Sequence, residues 1–178
     1  MSQYLKSFPV YTYFSKLLAV PVFLLVFNIT AYAANGGATA PLTHLLNLYY
    51  DIKDALVNSD GAAASKNAVE MLNVIKSIDA KNLGAAEQTA FAPLQDKLNA
   101  DIKQIAATQD IAAQRKNFSS LSQNMYTLAK AVKISADPVY QDYCPMQQAY
   151  WLSKEKTIKN PYYGSQMLSC GKVVTTIQ

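Results

Sequence analysis

The chain has 178 residues, 16 Lys and Arg against 12 Asp and Glu for a formal net charge of +4, one histidine and two cysteines. A modest positive excess with a single arginine, Arg115, does not make a phosphate-binding surface, which excludes nucleic acid as a partner. With one histidine, no glycine-rich phosphate loop, no zinc-ligand spacing and no nucleophile elbow, there is no constellation for catalysis, and no enzyme is expected.

Residues 1–33 carry Lys6 and Lys16 and no acid, then the apolar run Leu17 to Ile29, then Ala31-Tyr32-Ala33. Basic, apolar and small-x-small segments in that order predict a secretory signal peptide cleaved after Ala33. The apolar run is shorter than the roughly 20 residues that cross a bilayer as a helix, so no membrane span is expected in the mature chain. Removing the segment takes away two lysines and lowers the charge from +4 to +2. The product is expected to be periplasmic or secreted, in an oxidising compartment where two cysteines can pair. Residues 34–41, with Gly36, Gly37 and Pro41, read as a flexible leader.

From Leu42 the apolar spacing is helical. Leu42, Leu45, Leu46, Tyr49, Ile52 and Leu56 recur at threes and fours until Asn58-Ser59. Asp60 is an N-cap for a second helix along Ala64, Ala68, Met71, Leu72, Ile75 and Ile78. A turn at Lys81 to Gly84 leads to a third, carrying Phe91, Leu94, Leu98, Ile102 and Ile105, with Pro93 near its start or at a small kink. Asp110 caps a fourth through Ile111, Phe118, Leu121, Met125, Leu128 and Val132. Short connections favour antiparallel neighbours, so residues 42–136 are expected to form an antiparallel four-helix bundle, and the fold class is mainly α. Met71 and Met125 fall on apolar lines and read as core. His44, in the first helix, reads as exposed or capping rather than as a ligand.

At Asp137-Pro138 the texture changes. Residues 137–178 hold five tyrosines, the only tryptophan and both cysteines. Val139 to Tyr143, Tyr150 to Leu152 and Lys172 to Ile177 have the composition of short strands. A segment this small cannot bury its own core, so the aromatic-rich tail is expected to pack on the bundle as part of the same domain, with Trp151 as an anchor. Cys144 and Met146 would share a side of an extended segment, and Met167 and Cys170 one face of a helical turn. A reversal at Asn160-Pro161-Tyr162-Tyr163-Gly164 would then bring four sulfurs together.

Several of these stretches carry a resemblance. Tyr143-Cys144-Pro145-Met146, Ala149 to Ser153, Ile158 to Gly164 and Met167 to Gly171 resemble the C-terminal signature of a domain of unknown function, family 3347. Asp51 to Val57 and Gln114-Arg115, Phe118, Leu121-Ser122 resemble it in the helices. Such domains occur as small exported proteins and as additions to periplasmic adaptor subunits of heavy-metal efflux pumps. The resemblance implies a periplasmic accessory role in handling copper or a similar soft metal, with an efflux adaptor or another metal-handling protein as partner. Two positions depart from the pattern: Gln147 follows Cys-Pro-Met where a histidine is usual, and Asn117 stands where relatives often place one. These departures count against a histidine-assisted site and leave a sulfur-only site open.

Thiolates and thioethers are soft ligands that select Cu(I) or Ag(I). Cys144 and Cys170 are the candidate thiolate ligands, with Met146 and Met167 as thioether partners. The competing reading is a Cys144–Cys170 disulfide that holds the tail of a non-enzymatic interaction module, with about 3.5 kcal/mol from closing a loop of this length. A disulfide consumes both thiolates, so the two states exclude each other at any moment.

Overall fold

The computed structural model describes residues 39–178, so the expected signal segment, its expected cleavage site and most of the expected leader lie outside the described residues. Four helices come first: α1 (Ala40–Val57), α2 (Gly61–Ser77), α3 (Ala85–Ala106) and α4 (Ile111–Ala131). The strands β1 (Val139–Cys144), β2 (Ala149–Ser153) and β3 (Lys172–Ile177) follow. The protein is thus mainly helical with a small three-stranded antiparallel sheet in its C-terminal region.

Helix boundaries follow local chemistry. Asp60 and Asp110 accept backbone N–H groups of Ala63 and of Ala112 and Ala113, capping α2 and α4 as their sequences require. The first helix begins at Ala40, inside the expected leader, because Pro41 suits a first turn whose N–H groups have no helical partner. Pro93 lies inside α3 without ending it. Ile78 and Val132 fall just beyond their helices, yet both stay buried.

Sequence neighbours are neighbours in space: α1 packs on α2, α2 on α3, and α3 on α4. One end of the helical part is tied by Gln114, at the start of α4. Its amide nitrogen, Nε2, donates to Gly61 O at 2.9 Å and to Thr108 O at 2.7 Å, joining the starts of α2 and α4 to the loop after α3. The core holds Leu42, Leu45, Ile52, Leu56, Met71, Phe91, Leu98, Phe118 and Met125, all wholly buried. Each large apolar side chain buried there contributes about 1.5–3 kcal/mol.

The sheet order is β2-β1-β3, with β1 central. β1 pairs with β2 from Tyr140↔Ser153 to Cys144↔Ala149. Against β3 the register shifts between Gln141↔Thr175 and Asp142↔Val173, which leaves Val174 as the extra residue of a bulge. β1 and β2 are largely buried and β2 rests on α4, whereas β3 is an exposed edge. The expected strands are therefore present, with β1 and β2 each slightly longer than their composition suggested.

The tail docks through aromatics. Trp151, 1 % exposed, meets Tyr162 edge-on, and Tyr162 tilts against Phe118 of α4, whose ring stacks on Tyr49 of α1. Tyr162 Oη donates to Tyr150 O at 2.6 Å. In this chain of rings it is Tyr162 that meets a helix, with Trp151 behind it.

Candidate functional site

The site is built where the sheet meets the loop that precedes β3. Cys144 is the last residue of β1 and lies wholly buried opposite Ala149. A turn over residues 145–148 follows, closed by Gln148 at a positive φ of 54°. Within it the Gln147 N–H points at Cys144 Sγ, 3.4 Å away.

The second cysteine arrives from the other direction. After the short turn Gly164–Gln166, the Cys170 N–H donates to Met167 O at 3.0 Å. The two residues therefore do sit three apart in a turn, as their spacing suggests. Gly171 then takes φ +151°, and a Cβ there would meet Trp151 Cη2 at 2.7 Å and Tyr143 O at 3.1 Å. Only a residue without a side chain lets the backbone pass this close over the indole into β3.

Cys144 and Cys170 are free thiols with their Sγ atoms 3.6 Å apart. One is buried and the other half-buried, so the pair reaches the surface on the Cys170 side. The hydrogen bond with Cys144 and burial push the Cys170 thiol up from its usual pKa, while the Met146 backbone acts the other way. Both methionines thus flank Cys170 through their main chains, Met146 by that contact and Met167 as acceptor of its N–H.

Their side chains are placed differently from the expectation. Met146 is 63 % exposed while Cys144 is wholly buried, because the strand ends at Cys144 and the alternation of sides does not continue into the turn. Met167 is 41 % exposed. Met71 and Met125 are core residues, as their spacing indicates, and His44 is exposed. Among the described residues, no three or more His, Cys, Asp or Glu side chains gather as they would around an ion. The local donors are therefore the two thiols and whatever thioethers reach them.

Thiolate and thioether sulfurs are soft donors. Two thiolates bound about 2.3 Å from one tetrahedral ion lie about 3.8 Å apart, close to the separation here. Exposed apolar side chains surround the pair in sequence: Met146, Tyr150, Met167, Leu168, Val173 and Val174 all belong to the tail.

Sequence reasoning missed two features behind this surface. Asn160 appeared only as part of a turn, yet it is wholly buried and its Nδ2 donates to Cys170 O at 2.7 Å. Asp142, two residues before Cys144, is also wholly buried, and neither carboxylate oxygen has a hydrogen-bond partner among the described residues. Burial raises its pKa to about 7 against the opposing pull of Lys53, which is itself buried and paired with Asp54 at 2.7 Å. Nothing in a lone Asp between Gln141 and Tyr143 distinguishes it from a surface carboxylate.

Comparison with known proteins gives one match. The model of a family described as "Protein of unknown function (DUF3347)" matches residues 45–137, just over half of the chain. The match covers most of the helical part and stops before Pro138, so the four candidate ligands Cys144, Met146, Met167 and Cys170 lie beyond it. No curated protein and no solved structure matches the chain.

Proposed function

The chain belongs to the DUF3347 family, and from that premise we propose that it is a non-enzymatic accessory protein that binds a soft metal ion, Cu(I) or Ag(I), through Cys144 and Cys170. Met146 and Met167 supply thioether ligands from the exposed side. The helices, read as an antiparallel four-helix bundle, are the support, and the tail is the working part. Export through the leader, with cleavage near Ala33, would place the protein in the periplasm beside an efflux adaptor or another metal-handling partner.

One observation carries this reading: residues 26 apart in sequence bring two free thiols to 3.6 Å at a partly open position flanked by two exposed methionines. Metal is cargo here, and the chain's contribution is a soft donor set already near the geometry an ion requires. The test is titration of the reduced protein with Cu(I) against a chromophoric chelator. Binding at one ion per chain that disappears in Cys144→Ser and Cys170→Ser supports the proposal; equal affinity in the native protein and the double variant overturns it.

The same closeness favours a second reading. The pair can close to a disulfide that fixes the tail, leaving Met146, Tyr150, Met167, Leu168, Val173 and Val174 as an apolar surface for another protein. That surface holds only one exposed aromatic, Tyr150, so its character is aliphatic and thioether.

A further inference from the structure

We infer that Asn160 is the positioning residue of the thiol pair, fixing Cys170 against Cys144 before any ion or oxidant arrives; this rests on reading the two thiols as the working site. Asn160 is wholly buried, and all of its polar groups are used inside the loop it begins. Its backbone N–H donates to Leu168 O at 2.8 Å, and its carbonyl accepts from Gly164 N at 3.0 Å. Oδ1 accepts the Tyr162 N–H at 2.8 Å, a local turn that the sequence Asn-Pro favours. These three bonds close the loop on itself. The fourth, Nδ2 to Cys170 O at 2.7 Å, reaches ten residues on to the cysteine.

Other groups hold the loop but do not touch the thiol. Arg115 Nε donates to Pro161 O at 2.8 Å and its guanidinium also bonds Leu56 O and Ser59 Oγ, tying the loop to α4 and to the end of α1. Gly171 fixes the exit over Trp151. Between those anchors, Asn160 is the side chain that sets the Cys170 backbone, and from it the direction of Sγ. A thiol held beside its partner reacts with it, or shares an ion with it, without first losing the freedom of a mobile loop.

The measurement is the equilibrium of the metal-free whole chain with glutathione, in which the dithiol and one glutathione disulfide give the protein disulfide and two glutathione thiols. Asn160→Ser retains a hydroxyl able to accept the Tyr162 N–H but too short to reach Cys170 O. The expected result is a fall of about tenfold in the equilibrium constant, the value of one buried hydrogen bond, with native circular dichroism and tryptophan fluorescence. A folded variant whose constant stays within twofold of wild type overturns the inference. If the variant does not fold, the side-chain amide protons of Asn160 in the 15N-labelled wild-type protein decide: slow exchange supports the bond, and exchange at the rate of a free amide overturns it. Since no metal enters the equilibrium, a chain that binds no Cu(I) can still show the Asn160 dependence, and the two proposals fail separately.

Discussion

The Tyr49 hydroxyl accepts the backbone N–H of Leu152 at 2.9 Å, joining α1 to β2 across 103 residues of chain. The same oxygen lies 2.8 Å from Ser122 Oγ in α4, so three elements meet on one buried phenol. Burial holds that phenol well above its usual pKa, and it remains a neutral donor and acceptor at any physiological pH. Tyr49→Phe keeps the ring stacked on Phe118 but leaves the Leu152 N–H and the Ser122 hydroxyl without this partner. We expect a loss of about 1–3 kcal/mol in urea unfolding, with faster amide exchange at Leu152. Unchanged stability and exchange would mean that the tail does not depend on this contact.

How much of this was legible in the sequence follows from the range of each interaction. The helices were readable because apolar spacing and the caps Asp60 and Asp110 are local, and the strand at Lys172–Ile177 was readable from composition alone. Tyr49 looked like one more apolar position in α1; its hydroxyl partners in α4 and β2 lie far away in sequence. The Cys144–Cys170 approach was foreseeable from a reversal near Pro161, but the strand's end at Cys144, which exposes Met146, was not. Asn160 was hidden for the same reason as Tyr49: its decisive bond is to a carbonyl, and carbonyls carry no sequence signature.

Asp142 gives the protein a pH dependence of definite sign. Its folded pKa of about 7 lies above the ordinary carboxylate value because burial penalises the charge more than Lys53 relieves it. Below about pH 4 both folded and unfolded chains hold the proton, and the position carries no penalty. From there to about pH 7 the unfolded chain releases the proton while the folded one keeps it, so stability falls as pH rises, by at most about 4 kcal/mol in all. Asp142→Asn should remove this decline and be more stable than wild type at pH 8. Denaturant midpoints at pH 5 and pH 8 for both proteins provide the check, and parallel slopes would refute the assignment.

Gly171 is the position where backbone and indole leave no room. With φ at +151° and Trp151 Cη2 2.7 Å from a hypothetical Cβ, alanine must move either the strand entry or the tryptophan. Gly171→Ala should cost about 1–3 kcal/mol and shift tryptophan fluorescence, since Trp151 is the only indole in the chain. A variant with native emission and stability would show that the loop adapts without strain.

The exposed methionines separate a thioether-assisted ion from a bare dithiolate. Met146→Leu and Met167→Leu preserve size and apolar character but remove the soft donor. Each is expected to weaken Cu(I) binding about tenfold, or about 1.4 kcal/mol, while leaving unfolding stability within about 0.5 kcal/mol because both side chains are exposed. Binding unaffected by the double change would confine the ligands to Cys144 and Cys170.

Oxidation and metal loading draw on the same two sulfurs, and the redox state in which each stabilises the protein distinguishes the readings. Closing a disulfide across the 26-residue separation of Cys144 and Cys170 restricts the unfolded chain and should add about 3.5 kcal/mol. An ion that binds only the folded, reduced form stabilises by mass action, about 2.7 kcal/mol at a hundredfold excess over Kd. We therefore expect Ag(I) to raise the unfolding midpoint of the reduced protein and to leave the oxidised protein unchanged, since its thiolates are consumed. Calorimetry of the four samples, reduced and oxidised with and without Ag(I), makes the comparison directly. A large gain on oxidation with no gain from Ag(I) in the reduced state would favour the disulfide-held interaction module and remove the metal-binding proposal.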